Sequence, residues 1–455
     1  MSSTDERPAK MTVRPGRKAR WPGHGDLPPG RRWPAVVQSA ALMRFRHSFV
    51  PAMQRRYGDA FTVRLVPEGR SMVIFNGADR AKEIFAGSPD VFHAGKGNAV
   101  LGPVMGERSL LLVDGAEHKR ARKLLMPAFR PSAMKGYETV VTRLAREEVA
   151  GWTPATEFRS LERMNALTLE VILQVVFGVA DEPRLARLRP LVAATVDIKP
   201  LVLLGWGYPW LQRFGPWKKV VDVQRELDAL LYAEIAERRR AEELEDRTDV
   251  LSRLLLVGDS EGEEPLTDAE LRDQLVTLLL AGHETTAAAL SWALYELGRD
   301  EGLMRRAQTA ADAGDDDHLE AVMKESMRLH PIIPMVARFL MAPATIGGIR
   351  LPAGISVGPS IILAHQDPES FPEPERFRPE RFLEDHVAPG TWIPFGGGVR
   401  RCIGAGFSLM EGVAALREVL TAYDVVVLDG HTDKPRVRNI TSVPDQGARI
   451  VVHPR

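Results

Sequence analysis

Only one cysteine, Cys402, occurs in 455 residues. That excludes an internal disulfide and a multi-thiolate zinc site. It leaves three roles for the thiol: a nucleophile, a small buried hydrophobe, or a single thiolate ligand to a metal. No run of about 18 apolar residues occurs, so no transmembrane helix and no integral membrane anchor is expected. Charge of one sign is also missing. Basic and acidic residues number 60 each, so no bulk attraction to nucleic acid or to anionic membrane is implied. No Ser/Gly linker or low-complexity block divides the chain after residue 35, which points to one large unit although the length would allow two or three domains. G-x-S-x-G is absent, and with it the nucleophile-elbow signature of many hydrolases. Residues 1–32 lack an apolar core of the kind a secretory signal needs. They are basic and rich in Pro and Gly, with Lys10, Arg14, Arg17, Lys18 and Arg20. A flexible basic arm is expected there, ahead of a globular unit over 33–455. A lone cysteine without a signal indicates a cytoplasmic protein.

What is present centres on Phe395-Gly396-Gly397-Gly398-Val399-Arg400-Arg401-Cys402-Ile403-Gly404. Three consecutive glycines allow positive-φ backbone and close approach of a flat partner. The residues after Cys402 read as the start of a helix, and a thiolate there gains from free N–H groups and the helix dipole. Arg400 and Arg401 add positive charge. A structural cysteine in a Gly-rich turn fits the same letters.

A second unusual stretch is Ala281-Gly282-His283-Glu284-Thr285-Thr286. It lies inside a long helical pattern that opens with a capping-box sequence, Thr267 to Glu270, and runs without proline to Leu297. A mid-helix glycine costs about 1 kcal/mol against alanine. Glu-Thr-Thr in an apolar helix also breaks local rules, so function or a kink is expected. His283-Glu284 is not a zinc-protease signature, because no second histidine stands at 287. Elsewhere, Glu325 and Arg328 form E-x-x-R, Pro379-Glu380-Arg381-Phe382 follows later, and His118 and Arg122 share one helix face.

F-x-x-G-x-x-x-C-x-G, A-G-x-E-T-T, E-x-x-R and P-E-R-F, in the order found here, resemble the motifs of the cytochrome P450 monooxygenases over about residues 30–455. The resemblance implies a mainly α fold with a smaller β-rich part, in a single large domain. It implies haem b as cofactor, in the loop opened by Phe395, with Cys402 as the axial iron ligand. Gly282 would leave room for O2, Thr285 would hydrogen-bond the oxygen, and Glu284 would relay protons. His118, Arg122, Arg338 and Arg400 would hold the haem propionates. Glu325, Arg328 and Arg381 would form a buried network that serves folding and haem retention.

The resemblance further implies an apolar small-molecule substrate, such as a fatty acid, terpenoid, steroid or macrolide-like compound. Ile332, Ile333, Val336 and Ala337 would line its pocket. Electrons would come from a ferredoxin-type donor docking on the basic run from His118 to Lys123. No nucleic-acid partner is implied, and a monomer is expected. A haem-based sensor or a peroxide-driven peroxygenase are the rival readings, and neither needs the Glu284–Thr285 pair. Along the chain, a helix is expected from Trp33 to Tyr57, then a strand pair, Phe61–Leu65 and Met72–Phe75. A long Gly-rich loop is expected from Ser88 to Arg108, a helix with Asp114 as N-cap, an apolar lid over 199–217, and β structure over 344–363.

Overall fold

In a computed structural model the described residues are 27–66, 70–178, 182–196, 209–242, 244–384, 387–428 and 430–455. Most of the expected arm and of the expected lid lie outside them. Where the arm region is described it is held in place: Pro29 and Pro28 carbonyls accept from the Thr62 amide and hydroxyl at 3.0 and 2.7 Å.

The axis of the fold is the helix Asp268–Leu297. Its start is fixed by a complete capping box. The Thr267 hydroxyl accepts from the Glu270 amide, and the Glu270 carboxylate accepts from the Thr267 amide. With no proline for 30 residues it spans about 45 Å. Most of its residues are buried on every side, as a helix enclosed by other helices requires. Against it pack Ser160–Phe177, Asp316–Leu329 and Ala405–Ala422. The contact between the last two and the central helix is reinforced by polar hooks. The Ser326 hydroxyl donates to the Ala289 carbonyl at 2.7 Å, and the Thr286 and Ser408 hydroxyls meet at 3.0 Å.

The strands at the C-terminal end pack on this bundle and share its core through Tyr423, Val425, Val443, Ile450 and Val452. One sheet runs in the order Ala60–Leu65, Arg70–Phe75, Ser356–Pro359, Arg338–Leu340, Phe92–His93. Its second and third strands are parallel and the other pairs antiparallel. The strand Tyr423–Val426 pairs with Arg449–Pro454, and a hairpin joins Pro435–Arg438 to Thr441–Pro444. The sheet thus places Arg338 beside the bundle.

Two local expectations change. Residues 88–108 are not one open loop, because they hold the strand Phe92–His93 and the short helices Ala94–Gly97 and Gly102–Met105. The segment that follows is bolted to the central helix. Asp273 accepts from the Arg108 amide at 2.9 Å, Gln274 accepts from the Leu110 amide at 3.0 Å, and the Ser109 and Thr277 hydroxyls lie 2.7 Å apart. Asp114 does stand at the N-cap of Gly115–Leu125 but makes no side-chain cap. Its carboxylate is taken by the Gly95 and Lys96 amides and by Arg400. In the range 344–363 the strands Ala344–Ile346, Ile349–Leu351 and Ser356–Pro359 give way to a short helix, Ile361–His365.

Candidate active site

The loop before Cys402 folds back on itself: the Cys402 amide donates to the Phe395 carbonyl at 2.9 Å. Gly398 (φ +64°) is required there, since a Cβ would sit 2.0 Å from the Phe85 carbonyl oxygen. The loop's approach is held by His365, whose Nε2 accepts from the Ile393 amide at 2.9 Å. Burial first, and then Arg328, push His365 down to about 3, so it stays neutral and keeps that acceptor. The His365 carbonyl in turn accepts from Arg328 at 2.9 Å.

Arg328 belongs to the expected buried network, which is present. Its Nε and Nη2 donate to Glu325 at 2.6 and 2.9 Å, and Arg381 Nε donates to the same carboxylate at 3.2 Å. Glu325 and Arg328 have no exposed surface. The Arg378 amide and the Pro374 and Arg376 carbonyls complete the shell. Charged and polar connections therefore run from the helix Asp316–Leu329 through His365 to the cysteine loop. Sequence reasoning missed His365. Its only signal was a histidine in an otherwise apolar run before the Pro-rich meander.

Cys402 itself is exposed, although the protein around it is dense enough that burial pushes its thiol pKa up. The Gly404 amide, Arg122 and Arg401 pull the other way without reversing the direction. The helix start and nearby arginines therefore do not make the free thiol a ready thiolate, contrary to expectation, because desolvation of the charged sulfur outweighs them. Coordination to a metal ion would supply the missing stabilisation. The central helix also shows a break in burial: Ala281 is exposed and Gly282 and Thr285 are half-buried, between buried turns. The Thr286–Ser408 contact ties this part of the helix to the helix that follows Cys402.

On the helix itself, the Thr285 hydroxyl donates to the Ala281 carbonyl at 2.8 Å. Glu284 is buried and lies 3.1 Å from Arg438 of the C-terminal hairpin, a contact the sequence did not suggest. At Gly282 a Cβ would meet Ile172 Cδ1 at 2.7 Å, so its bare backbone also serves the close approach of the helix Ser160–Phe177. In the same helix, Thr168 donates to the His283 carbonyl at 3.0 Å.

The four expected polar residues gather around His118. His118, buried, sits among Arg400, Arg122, Arg338 and Asp114, and its pKa falls to about 4 through burial and then the arginines. It is neutral. Arg338 is buried, donates to the Ala337 carbonyl at 2.9 Å and lies over the Phe85 ring at 5.9 Å, with no carboxylate partner among the described residues, and burial lowers its pKa to about 10. Arg122 pairs with no carboxylate among the described residues. Arg400 is better satisfied, by Asp114 at 2.5 Å and by the Leu110 and Val113 carbonyls. Three guanidiniums thus face one carboxylate, and buried cations without partners are costly. The expected donor-docking run is partly neutralised: Arg120 pairs with Glu270 at 2.6 Å and Lys123 with Glu263 at 3.0 Å.

A family profile described as Cytochrome P450 matches residues 27–449. The chain belongs to the cytochrome P450 family. Among its relatives, cytochrome P450 135A1 of Mycobacterium tuberculosis is 50% identical over 430 residues, 94% of this chain and 96% of that one. Cytochrome P450 135B1 of Mycobacterium bovis is 41% identical over 432 residues, 94% and 91% of the two chains. Among solved structures, retinoic acid-bound cyanobacterial CYP120A1 superposes with a TM-score of 0.83 at 25% identity, covering 94% of this chain and 99% of that one. The mainly helical, single-domain architecture agrees with that likeness.

P450 proteins are monooxygenases that bind haem through a cysteine thiolate on the iron, and they use O2, a redox partner and apolar substrates. The residues present fit such a group. The chain has one thiol, and it is exposed. The three arginines exceed the one carboxylate among them by two charges, which matches the two propionates of haem b. Among the described residues no single helix is long and apolar enough to cross a membrane.

Proposed function

We propose that this P450 inserts one atom of O2 into an apolar small molecule, with Cys402 as the axial iron ligand and electrons from a ferredoxin-type donor. One observation carries the reading: the helix with the break in burial at Ala281, Gly282 and Thr285 is tied by the Thr286–Ser408 contact to the helix that follows the exposed thiol. A thiolate-bound haem supplies O2 activation and favours O–O cleavage. The protein's part is positioning and proton supply. Arg338 and Arg122 take the propionates, His118 stays neutral between them, and Arg400 anchors the cysteine loop to the segment before Gly115–Leu125.

Thr285 commits its hydrogen to Ala281, which leaves its oxygen to act as an acceptor. Glu284, paired with Arg438 of the C-terminal hairpin, would relay protons to it. The acid next to the alcohol favours O2 activation over a sensor or a peroxygenase, neither of which needs the pair.

Apolar surroundings support the substrate class. Val336 approaches Gly396 of the cysteine loop, and Leu280, beside Ala281, packs with Val104 and Trp217. The neighbour bound to retinoic acid, an apolar carboxylic acid, is consistent with a fatty-acid-like or terpenoid ligand. Lys119 and Arg401 remain exposed for a donor's acidic face.

The test is spectroscopic and then catalytic. Reduced protein with carbon monoxide should give the red-shifted Soret band of a thiolate complex, and Cys402→Ser should lose it. Retention of the band in that variant would remove Cys402 as ligand. Turnover with reductant and O2 should exceed turnover with peroxide alone, and the reverse result would favour the peroxygenase reading.

A further inference from the structure

The helix Ala35–Tyr57 changes character at a break in its backbone at Phe45: beyond it Phe49, Val50 and Met53 are buried in the core, but up to and around it the buried residues are polar, Gln38, Ser39 and Arg46. Gln38 donates to the Arg31 and Trp33 carbonyls and accepts from the Arg64 amide, and Ser39 accepts from the Val66 amide. Arg46 donates to the Asn439 and Ile440 carbonyls at 2.8 and 3.2 Å, which docks the tip of the C-terminal hairpin against the helix. The outward residues are apolar. Val36 is 66%, Phe45 59% and Val37 46% exposed, and Trp33, Met43 and Ile440 are exposed as well.

Positions 36, 37, 40 and 44 follow helical spacing and share a face, with the exposed Trp33 just ahead of the helix and the exposed Phe45 at the break in it. A surface helix ordinarily turns its apolar stripe to the core. A contiguous apolar patch in water marks an interaction site.

Its charge says what it fits. Residues 27–58 hold six arginines and no acidic residue, and residues 434–444 at the hairpin hold Lys434, Arg436 and Arg438, again without a carboxylate. Arg32, Arg44 and Arg436 are exposed around the apolar face. The balanced charge of the whole chain hides this local excess. A protein partner for so basic a rim would need acidic side chains around a large apolar centre. A bilayer with anionic headgroups offers both over any orientation.

We propose that the face formed by the first helix and the hairpin tip seats the protein peripherally on an anionic lipid surface. No span is involved: apolar side chains enter the headgroup boundary and the arginines meet the lipid phosphates. This stands apart from the monooxygenase reading, since none of the residues exposed on this face belongs to the haem site.

The full chain, loaded with haem, should co-sediment with vesicles of phosphatidylcholine and phosphatidylglycerol at 3:1. It should bind pure phosphatidylcholine vesicles far more weakly and leave the anionic ones as salt is raised. The variant V36S/V37S/F45S should lose about tenfold in partitioning. R32Q/R44Q/R436Q should lose about a hundredfold together with the salt dependence. An unchanged carbon monoxide spectrum certifies the fold of each, and the arginine variant decides if the apolar one fails to load haem. Wild-type protein that stays in the supernatant, or variants that partition like wild type, overturn the proposal. A dimer in sedimentation velocity that V36S/V37S/F45S dissociates also overturns it, because a second copy would then own the face. Vesicle binding that is lost when residues 1–26 are deleted would give the lipid contact to that segment instead, and the proposal would fall in the same way.

Discussion

Replacing Glu411 by glutamine should remove a loss of stability that the wild-type protein suffers as pH rises. Glu411 lies on the helix after Cys402 and is 1% exposed; the Thr286 hydroxyl is near, but neither carboxylate oxygen makes a hydrogen bond of good geometry among the described residues. Burial pushes its pKa from 4.5 to about 8, against a smaller opposing pull from the Thr286 hydroxyl. The folded protein therefore keeps this proton up to about pH 8, while the unfolded chain releases it near the ordinary carboxylate value.

Because the native state binds more protons between those limits, stability is full below about pH 4.5, falls as pH rises, and levels off above about pH 8. At about 1.4 kcal/mol per unit, the span amounts to about 5 kcal/mol. Glutamine has nearly the same shape and no proton to lose. Any difference in its packing adds a constant, so the slope is the readout. Urea unfolding of wild type and Glu411→Gln, followed by tryptophan fluorescence from pH 5 to 9, should show curves that diverge by several kcal/mol and then run level. A constant offset across that range would show that Glu411 is already ionised in the fold, and the reasoning would fail.

Three further outcomes are expected. Arg338→Gln relieves a buried guanidinium whose pKa has dropped to about 10. The haem-free protein should gain about 3 kcal/mol in denaturant unfolding, while haem is lost faster to a haem-scavenging globin; equal or slower loss would exclude Arg338 as a propionate partner. Glu325→Gln leaves Arg328 and Arg381 without their shared carboxylate. It should cost about 3–5 kcal/mol and lower haem content in purified protein, and unchanged haem content and unfolding midpoint would show the network to be dispensable. Thr285→Ala should retain haem and its spectrum but divert reducing equivalents to hydrogen peroxide, measured as peroxide released per reductant consumed. Fully coupled product formation by that variant would count against the proton-relay role.

By itself the sequence determined much of the scaffold. Capping chemistry at Thr267 and Glu270, and the long proline-free run, defined the central helix almost to the residue, because those signals act over three or four positions. The lone thiol in its glycine-rich loop, the Glu284–Thr285 pair and the Glu325–Arg328–Arg381 set were legible for a related reason: short motifs carry the chemistry of haem binding, and they occur here in family order. His118 and Arg122 were placed on one face by helical spacing alone.

Tertiary packing decided the rest, since each of those outcomes depends on partners far away in the chain. Asp114 holds the N-cap position yet gives its carboxylate to Arg400, 286 residues on. Gly282 answers to Ile172 on another helix. Burial lifts the Cys402 thiol against the helix start and arginines that promised to lower it. Arg438 reaches Glu284 from the C-terminal hairpin, and His365 joins the buried arginine network to the cysteine loop. Desolvation and long-range hydrogen bonds have no local periodicity, so no window of sequence displays them. They exist only once the chain has closed around its core.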